Sequence, residues 1–330
     1  MDETLLRFRD EIKLNNYSVE LGADDERIVE AVRDWIDDGI AHHHAGGGEE
    51  GGRNGLAIEL FSGSRPTDIK GPGRRRPTAT FEDIEFYAGK NVTTLVIGGD
   101  SVVRVDLERG TARGFVSSAH LDSPWVISHR IFYLPLLELL RRRGAFYVHA
   151  GCVCRGDRCI LICGGSGQGK STLTYTLVRA GFSYLSDDAV FAQIRDEHLT
   201  IFSFPEKIKL DVKSRSHFPE FDPYRNEQEK VEIPLTETKI KNVAVSGKPY
   251  ALVFTEIVDQ ARSELVPISQ SEALLRLIRQ SITMTNQEGI EKHLDVLTRL
   301  CAESRNFSLR FGKDIDNLPT LVRDTIFGEG

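Results

Sequence analysis

The chain has 330 residues, of which 40% are hydrophobic and 28% are charged, as expected for a globular protein of about two domains. The net charge of −7 argues against a general nucleic-acid-binding surface, which would carry an excess of lysine and arginine. No apolar run is long enough to span a membrane, and the acidic start Asp2-Glu3 is unlike a secretory signal. We therefore expect a cytoplasmic protein with neither nucleic-acid nor membrane partners.

Residues 1–144 are predicted to form an accessory α+β domain. Apolar residues at helical spacing predict helices within residues 1–40. A Gly- and Arg-rich stretch over residues 41–79 predicts a flexible segment, and its histidine run, His42 to His44, is more simply explained as solvated loop than as metal ligands. Beyond it, strand-like runs separated by glycine turns predict an antiparallel meander, followed by a helix over residues 128–143.

Residues 145–330 are predicted to form a second, catalytic domain that contains the most specific motif of the chain. The motif is Gly164-Gly165-Ser166-Gly167-Gln168-Gly169-Lys170-Ser171, which satisfies G-x-x-x-x-G-K-[ST], the phosphate-binding P-loop pattern. Residues 159–163 before it are apolar and of strand length. Residues 171–180 after it are typical of a helix, with Gly181 at the expected stop. Strand, glycine loop and helix are the context that the motif requires, so the pattern predicts a nucleotide-phosphate site.

Each part of this motif has a physical role. Glycines let successive backbone N–H groups point into one concavity, where they bind phosphate oxygens. Lys170 offers a cation to the β- and γ-phosphates, and the Ser171 hydroxyl is a ligand for Mg²⁺. Thr172, the next residue, is included in the predicted nucleotide site. ATP and Mg²⁺ are the cofactors that this motif predicts, although a P-loop recognises phosphates and not the base.

A pair of carboxylates, Asp187-Asp188, follows the next predicted strand. P-loop enzymes commonly place an acidic residue at the end of another strand to hold Mg²⁺. Two adjacent carboxylates can divide the work, because one can hold the metal while the other accepts a proton from a substrate hydroxyl. His149, on the strand before the P-loop hairpin, is either a residue that reaches the phosphates or a satisfied core histidine.

The five cysteines are expected to be free thiols. They are Cys152, Cys154, Cys159, Cys163 and Cys301. The spacing C-x-C-x₄-C-x₃-C of the first four differs from the paired C-x₂-C of common zinc sites. In apolar strands cysteine behaves as a small hydrophobic residue, which is the reading we adopt here.

Three stretches together resemble the catalytic core of the bacterial HPr kinase/phosphorylase family. They are Val148-His149-Ala150-Gly151, the P-loop, and Leu185-Ser186-Asp187-Asp188-Ala189-Val190, within residues 148–210. The resemblance implies an α/β fold in which a mixed sheet akin to that of phosphoenolpyruvate carboxykinase carries the P-loop. It also implies that Asp187 is the base near the substrate hydroxyl, that Asp188 is a metal ligand, and that His149 contacts the phosphates or supports residues that do. Assembly into a homo-oligomer is a further implication.

The chain departs from that family at recognisable positions. Ala150 stands where the family has glycine, Thr172 where it usually has glutamate, and the family's C-terminal signature is not found. These departures argue against HPr itself as the acceptor and leave the reverse phosphorylase reaction without support. The segment 204–210 resembles divergent relatives, some of which phosphorylate a serine of a precursor peptide. In it, Lys207 or Lys209 is a candidate for transition-state charge, or else a solvated lysine.

The sequence therefore predicts a kinase that moves the γ-phosphoryl group of Mg·ATP to a serine-type hydroxyl of a protein or peptide. One alternative is a kinase for a small-molecule hydroxyl. Another is a nucleotide-binding regulatory ATPase without a phosphoacceptor, against which the second carboxylate argues, since a switch needs one metal-binding carboxylate.

Overall fold

The computed structural model describes residues 6–14, 17–37, 55–204, 207–215, 217–224, 230–235, 238, 240, 242–281 and 287–328. The chain divides into two compact units. The first comprises residues 1–145 with 283–292, and the second comprises residues 146–282 with 293–330. The histidine run lies outside the described residues.

The first unit is built on a mixed β-sheet. Its strands are β1 (Phe8–Leu14), β2 (Tyr17–Ala23), β3 (Gly55–Phe61), β4 (Ala79–Phe81), β5 (Ile84–Ala88), β6 (Val92–Ile97), β7 (Ser101–Asp106) and β8 (Thr111–Phe115). Its helices are α1 (Glu26–Asp37), α2 (Ser118–Leu121), α3 (Pro124–Val126) and α4 (Tyr133–Arg142), with a π-helical turn at Ile127–Phe132. In the described residues the strand order is β1-β2-β3-β8-β7-β6-β5-β4.

The predicted meander is confirmed, whereas the predicted helical N-terminus is wrong for its first half. Strands β5 to β8 pair antiparallel in sequence order. Strands β1 and β2 also pair antiparallel, with Ile12 opposite Val19. The reason is a period of two, because Val19 and Leu21 are buried while Glu20 between them is exposed. Among the described residues of this stretch, helix is limited to α1.

The predicted flexible segment contains a central strand. Gly55–Phe61 forms β3, which pairs in parallel with β2 on one side and with β8 on the other. Leu56, Ile58 and Leu60 of this strand are fully buried. The strand was not predicted because the surrounding glycines and arginines give residues 41–79 the composition of a flexible segment, although residues 55–61 alternate in burial.

The second half of the chain contains further strands, most of which form a second mixed sheet. Its strands are β9 (Ala145–Arg155), β10 (Arg158–Cys163), β11 (Ser183–Ser186), β12 (Ala189–Arg195), β13 (His198–Phe202), β14 (Ile208–Asp211), β15 (Lys230–Ile233), β16 (Ser246–Ile257), β17 (Glu264–Pro267) and β18 (Arg305–Phe311). Its helices are α5 (Lys170–Arg179), α6 (Val212–Arg215), α7 (Gln270–Ser281), α8 (Gln287–Glu303) and α9 (Leu318–Val322). Short segments of 3₁₀ or π-helix lie at Pro219–Tyr224, Ile315–Asn317 and Arg323–Phe327.

Strand β10 is paired along both of its edges in this sheet. The strand order is β10-β9-β12-β13-β16-β18-β17, β11 adds to β9, and β10 pairs with β16 as well. The β10–β9 pairing is antiparallel and the β10–β16 pairing is parallel. The predicted α/β class with a mixed sheet is therefore confirmed. Strands β14 and β15 form a separate two-stranded sheet.

Both faces of β10 are buried, which fixes its position. Cys159 and Leu161 belong to one apolar core, and Ile160 and Ile162 belong to the core on the opposite face. Burying a side chain such as Leu161 stabilises the fold by roughly 1.5–3 kcal/mol. The loop that follows β10 therefore starts from a rigid support.

Candidate functional site

The glycine loop connects β10 to α5, as the sequence predicts. Gly167 and Gly169 have φ values of 74° and 87°, in the left-handed region that favours glycine. A Cβ atom on Gly169 would lie 2.8 Å from Cδ1 of Phe311 in β18. A Cβ atom on Gly164 would lie 2.6 Å from Oγ1 of Thr255 in β16. Close packing against these two strands therefore requires glycine at both ends of the loop.

Side chains of the loop itself hold it in shape. Oε1 of Gln168 accepts the backbone N–H of Ile257 at 3.2 Å, which ties the loop to β16. Lys170 is buried, and its Nζ donates to the carbonyl oxygens of Gly164 at 2.9 Å and Gly165 at 3.3 Å. The ammonium group is thus held across the loop, at the start of α5, where free N–H groups favour an anion.

A serine turn presents the two carboxylates. The buried Ser186 hydroxyl, at the end of β11, accepts the N–H of Ala189 at 3.1 Å and donates to the carbonyl of the same residue at 2.8 Å. It also accepts the N–H of Asp188 at 3.4 Å. Asp187 and Asp188 lie within this turn, which fixes the positions of their backbones. The environments of their side chains differ.

Asp187 is the buried member of the pair, with 1% of its surface exposed. Its Oδ2 accepts the backbone N–H of Lys209 at 2.9 Å. Burial, helped by the charge of Asp188, raises the pKa of Asp187 to about 6, although hydrogen bonds from Lys209 and the Ser171 hydroxyl oppose that rise. Its Oδ1 is buried and has no hydrogen-bond partner among the described residues. A cation beside this oxygen would satisfy it.

Asp188 is the solvent-facing member, with 39% of its side chain exposed. Its Oδ1 lies 3.3 Å from Nδ1 of His149 in β9, whose side chain is 28% exposed. The Tyr147 hydroxyl lies 3.2 Å from the same nitrogen. His149 is therefore a polar residue at the edge of the site and not a core histidine.

These groups meet in one cavity of about 150 Å³. Its lining residues are His149, Gly165, Ser166, Gly167, Gly169, Lys170, Ser171, Asp187, Asp188, Lys209 and Asp211. The residues predicted from three separate stretches are thus brought together. Gly164, Gln168 and Thr172, which were also predicted to bind nucleotide, are not among the lining residues of the described chain. The first two support the loop, and Thr172 is buried in α5.

Strand β14 contributes two lining residues that the sequence did not single out as a pair. Ile208 and Leu210 are buried, while Lys209 and Asp211 alternate with them and face the cavity. Of the two lysines considered from the sequence, Lys209 is the one that lines the cavity. The alternation in Ile208-Lys209-Leu210-Asp211 was the available signal, but this segment has no motif to identify it.

The donor set of the cavity fits Mg²⁺. Mg²⁺ prefers oxygen ligands and binds through one or two carboxylates together with substrate phosphates and water. The Ser171 hydroxyl and the unsatisfied Oδ1 of Asp187 are oxygens of this kind, on neighbouring elements. Asp188 offers a further carboxylate on the solvent side. The cavity therefore has the residues that a P-loop site needs for its metal.

A glycine in β9 permits this close assembly. A Cβ atom on Gly151 would lie 2.5 Å from Oγ1 of Thr174 in α5 and 3.1 Å from the carbonyl oxygen of Asp187. No side chain fits between the helix and the carboxylate turn at this point. Gly151 therefore allows α5 and the turn that carries Asp187 and Asp188 to approach this closely.

Comparisons with known proteins give little further information. The chain matches no protein-family model and no curated protein. One solved structure that it matches is the Hpr(Ser) kinase/phosphatase from Coxiella burnetii, at 14% identity and a TM-score of 0.29, with 56% of this chain and 99% of that chain covered. A likeness this weak does not assign the family. Among the described residues, no helix is both long and apolar enough to cross a membrane.

Proposed function

We propose that the protein is a kinase that transfers the γ-phosphoryl group of Mg·ATP to a serine-type hydroxyl of a protein or peptide, in the cytoplasm. The observation that carries this proposal is the convergence of Lys170 and Ser171 with two carboxylates and a histidine in one cavity. Binding of a nucleotide alone needs phosphate ligands and one metal carboxylate. A second carboxylate beside a histidine can act as the general base that accepts a proton from an acceptor hydroxyl. The sequence resemblance to the HPr kinase/phosphorylase family supports the same reaction.

The surroundings of the two carboxylates favour one division of work between them. Asp187 is buried, neighbours Ser171 and has an unsatisfied oxygen, so we assign it to the metal side. Asp188 is partly exposed and paired with His149, so we assign it to the acceptor side. This allocation is the reverse of the one implied by the family resemblance, which placed the base at Asp187 and the metal at Asp188.

The resident groups can then act in turn. Lys170 exchanges its two carbonyl partners for oxygens of the β- and γ-phosphates, and the N–H groups of the glycine loop bind the phosphate chain. Mg²⁺, held by Ser171 and Asp187, would neutralise charge on the phosphates. Asp188 accepts a hydrogen bond from the acceptor hydroxyl and takes its proton as the phosphoryl group transfers. His149 holds the Asp188 carboxylate in orientation for that contact.

The small volume and the solvent access of the cavity favour a serine of a peptide or protein as the acceptor over a free small molecule. Its volume of about 150 Å³ is below the roughly 300–1,000 Å³ of pockets that enclose a whole small ligand. It has room for phosphates, while the remainder of the nucleotide and the acceptor lie outside it. Asp188 and His149 are both reachable from solvent, so a serine on an exposed peptide segment can approach them.

The direct test uses ATP labelled at the γ-phosphorus and a library of serine-containing peptides. The wild-type protein with Mg²⁺ should transfer label to this library and not to a matched library in which alanine replaces serine. Lys170→Ala protein is the control for a contaminating kinase. Retention of all label in ATP and free phosphate would exclude the peptide kinase, and hydrolysis alone would favour the regulatory ATPase.

A further inference from the structure

The cysteines of this chain are concentrated in one place. All five are buried in the apolar core that packs on one face of the second sheet, and all are free thiols. Three of them, Cys152, Cys154 and Cys159, have Sγ atoms within 4.8 Å of one another. None of these three belongs to the phosphate cavity, so the proposed kinase reaction gives them no role.

Two of the three are direct partners across a hairpin. Gly156 and Asp157 form the two-residue turn between β9 and β10, and Gly156 has the positive φ of 61° that such turns require. Cys154 pairs with Cys159 in the second residue pair from this turn, after Arg155 and Arg158, and their Sγ atoms lie 2.6 Å apart. Direct antiparallel partners have Cα atoms about 4.5–5.5 Å apart, within the range that a disulfide spans.

The third thiol, Cys152, affects the reactivity of Cys154 through a hydrogen bond. Hydrogen bonds from Cys152 and Cys159 favour the thiolate of Cys154 and so lower its pKa, against the effect of burial. By contrast, burial holds the pKa of Cys152 well above its ordinary value. The cluster thus contains one sulfur that favours the nucleophilic form, next to a protonated partner.

The structure is irregular where a small oxidant would enter. The pairing of β10 with β16 shifts register between Cys159 and Ile160, and Pro249, opposite Cys159, has no N–H to donate. The turn residues Gly156 and Asp157 are exposed. Entry of a molecule the size of a peroxide to the buried thiols therefore requires a local opening of this hairpin end.

We propose that Cys154 and Cys159 form a modification site, at which a peroxide converts the two thiols to a disulfide. The Cys154 sulfur attacks one peroxide oxygen, the O–O bond breaks, and a sulfenic acid and one water form. The Cys159 sulfur then attacks the sulfenic sulfur, the S–OH bond breaks, and a second water leaves with the Cys159 proton. Two thiols are oxidised while one peroxide is reduced to two waters.

A metal at the same cluster is less consistent with its surroundings. Zinc in a structural site takes four ligands, and among the described residues this cluster has three. Three thiolates bound to one Zn²⁺ would also leave a net negative charge in the apolar core, which costs free energy. A disulfide is neutral and matches this environment.

The test is chemical and independent of any kinase activity. The full chain is treated with hydrogen peroxide, unfolded, and titrated for free thiols. We expect the five thiols of the untreated chain to fall by two, and a reducing agent to restore them. Mass spectrometry of a non-reduced digest should place the link between Cys154 and Cys159.

Matched variants locate the site. Cys163→Ser and Cys301→Ser should keep the link, whereas Cys154→Ser and Cys159→Ser should lose it. A link between Cys163 and Cys301, irreversible oxidation of Cys154, or retention of all five thiols would each overturn the proposal. Since the digest of the wild-type chain gives the linked pair directly, the test does not depend on the folding of any variant.

Discussion

The two walls of the phosphate cavity differ in burial, and this difference separates their roles. The inner wall, defined by Lys170, Ser171 and Asp187, is mostly enclosed and rests on β10, α5 and the end of β11. The outer wall, defined by His149 and Asp188, is partly open to solvent. Adjacent residues of one sequence motif thus lie on opposite walls.

Burial changes what each carboxylate can do. Asp187 is buried away from water, so a nearby cation would stabilise its charged form beyond what the hydrogen bonds from Lys209 and Ser171 do. Asp188 keeps access to solvent and so to an incoming hydroxyl. We expect substitutions in the inner wall to affect nucleotide and metal binding, and substitutions in the outer wall to affect transfer.

The largest effect is expected for Lys170→Ala, which removes the only cation that the inner wall offers among the described residues. Binding of ATP and its turnover should both become undetectable, because loss of one positioned donor to transition-state charge alone costs about 10²–10³-fold in rate. Calorimetric titration with ATP and a turnover assay would measure this. Lys248→Ala is the matched control, since Lys248 is exposed and pairs with Asp157. Normal turnover by folded Lys170→Ala protein would show that the loop is not the phosphate site.

The next effect concerns the outer wall. Asp188→Asn should reduce phosphoryl transfer to serine peptides by about 10²–10⁴-fold, the usual contribution of a positioned base. The affinity for Mg·ATP should change little, because the inner wall is intact. Asp157→Asn is a suitable control, as it removes an exposed carboxylate of the same unit. A transfer rate near that of the wild type would remove Asp188 from the acceptor side.

A smaller effect is expected for the packing between the walls. Gly151→Ala places a methyl group against Thr174 and the carbonyl of Asp187, which should destabilise the fold by about 1–3 kcal/mol. Denaturant unfolding would measure the loss. Gly55→Ala, where an added Cβ meets nothing within 4 Å, should show no comparable loss. Equal stability of the two variants would mean that Gly151 does not control this spacing.

The sequence predicted the inner wall better than the outer one. The P-loop is contiguous, so its pattern locates Lys170 and Ser171 without knowledge of the fold. Lys209 and Asp211 come from a strand whose position depends on pairing between β14 and β15, which no local pattern shows. The pairing of His149 with Asp188 also depends on the sheet, although the resemblance to a family brought both residues to attention.

Secondary structure was predictable from the sequence where the spacing of apolar residues was regular and uninterrupted. The meander of β5 to β8 has alternating residues and glycine turns, and it was predicted correctly. Strands β1 and β2 were predicted as helix, because scattered apolar residues such as Leu6, Phe8 and Ile12 also suit a loose helical face. Tertiary pairing decides between the two readings, and a single sequence does not contain that information in local form.

The measurement that tests the division between the walls most directly is a Mg²⁺ titration of ATP binding to Asp187→Asn and Asp188→Asn. The account predicts that Asp187→Asn raises the Mg²⁺ concentration needed for half-maximal ATP binding by at least about 10–100-fold, the effect that loss of a residue supporting a metal ligand already has, while Asp188→Asn binds like the wild type. Circular dichroism would confirm that both variants are folded. If Asp188→Asn needed more Mg²⁺ for ATP binding while Asp187→Asn bound like the wild type, the account would be contradicted. The roles implied by the family resemblance would then be restored.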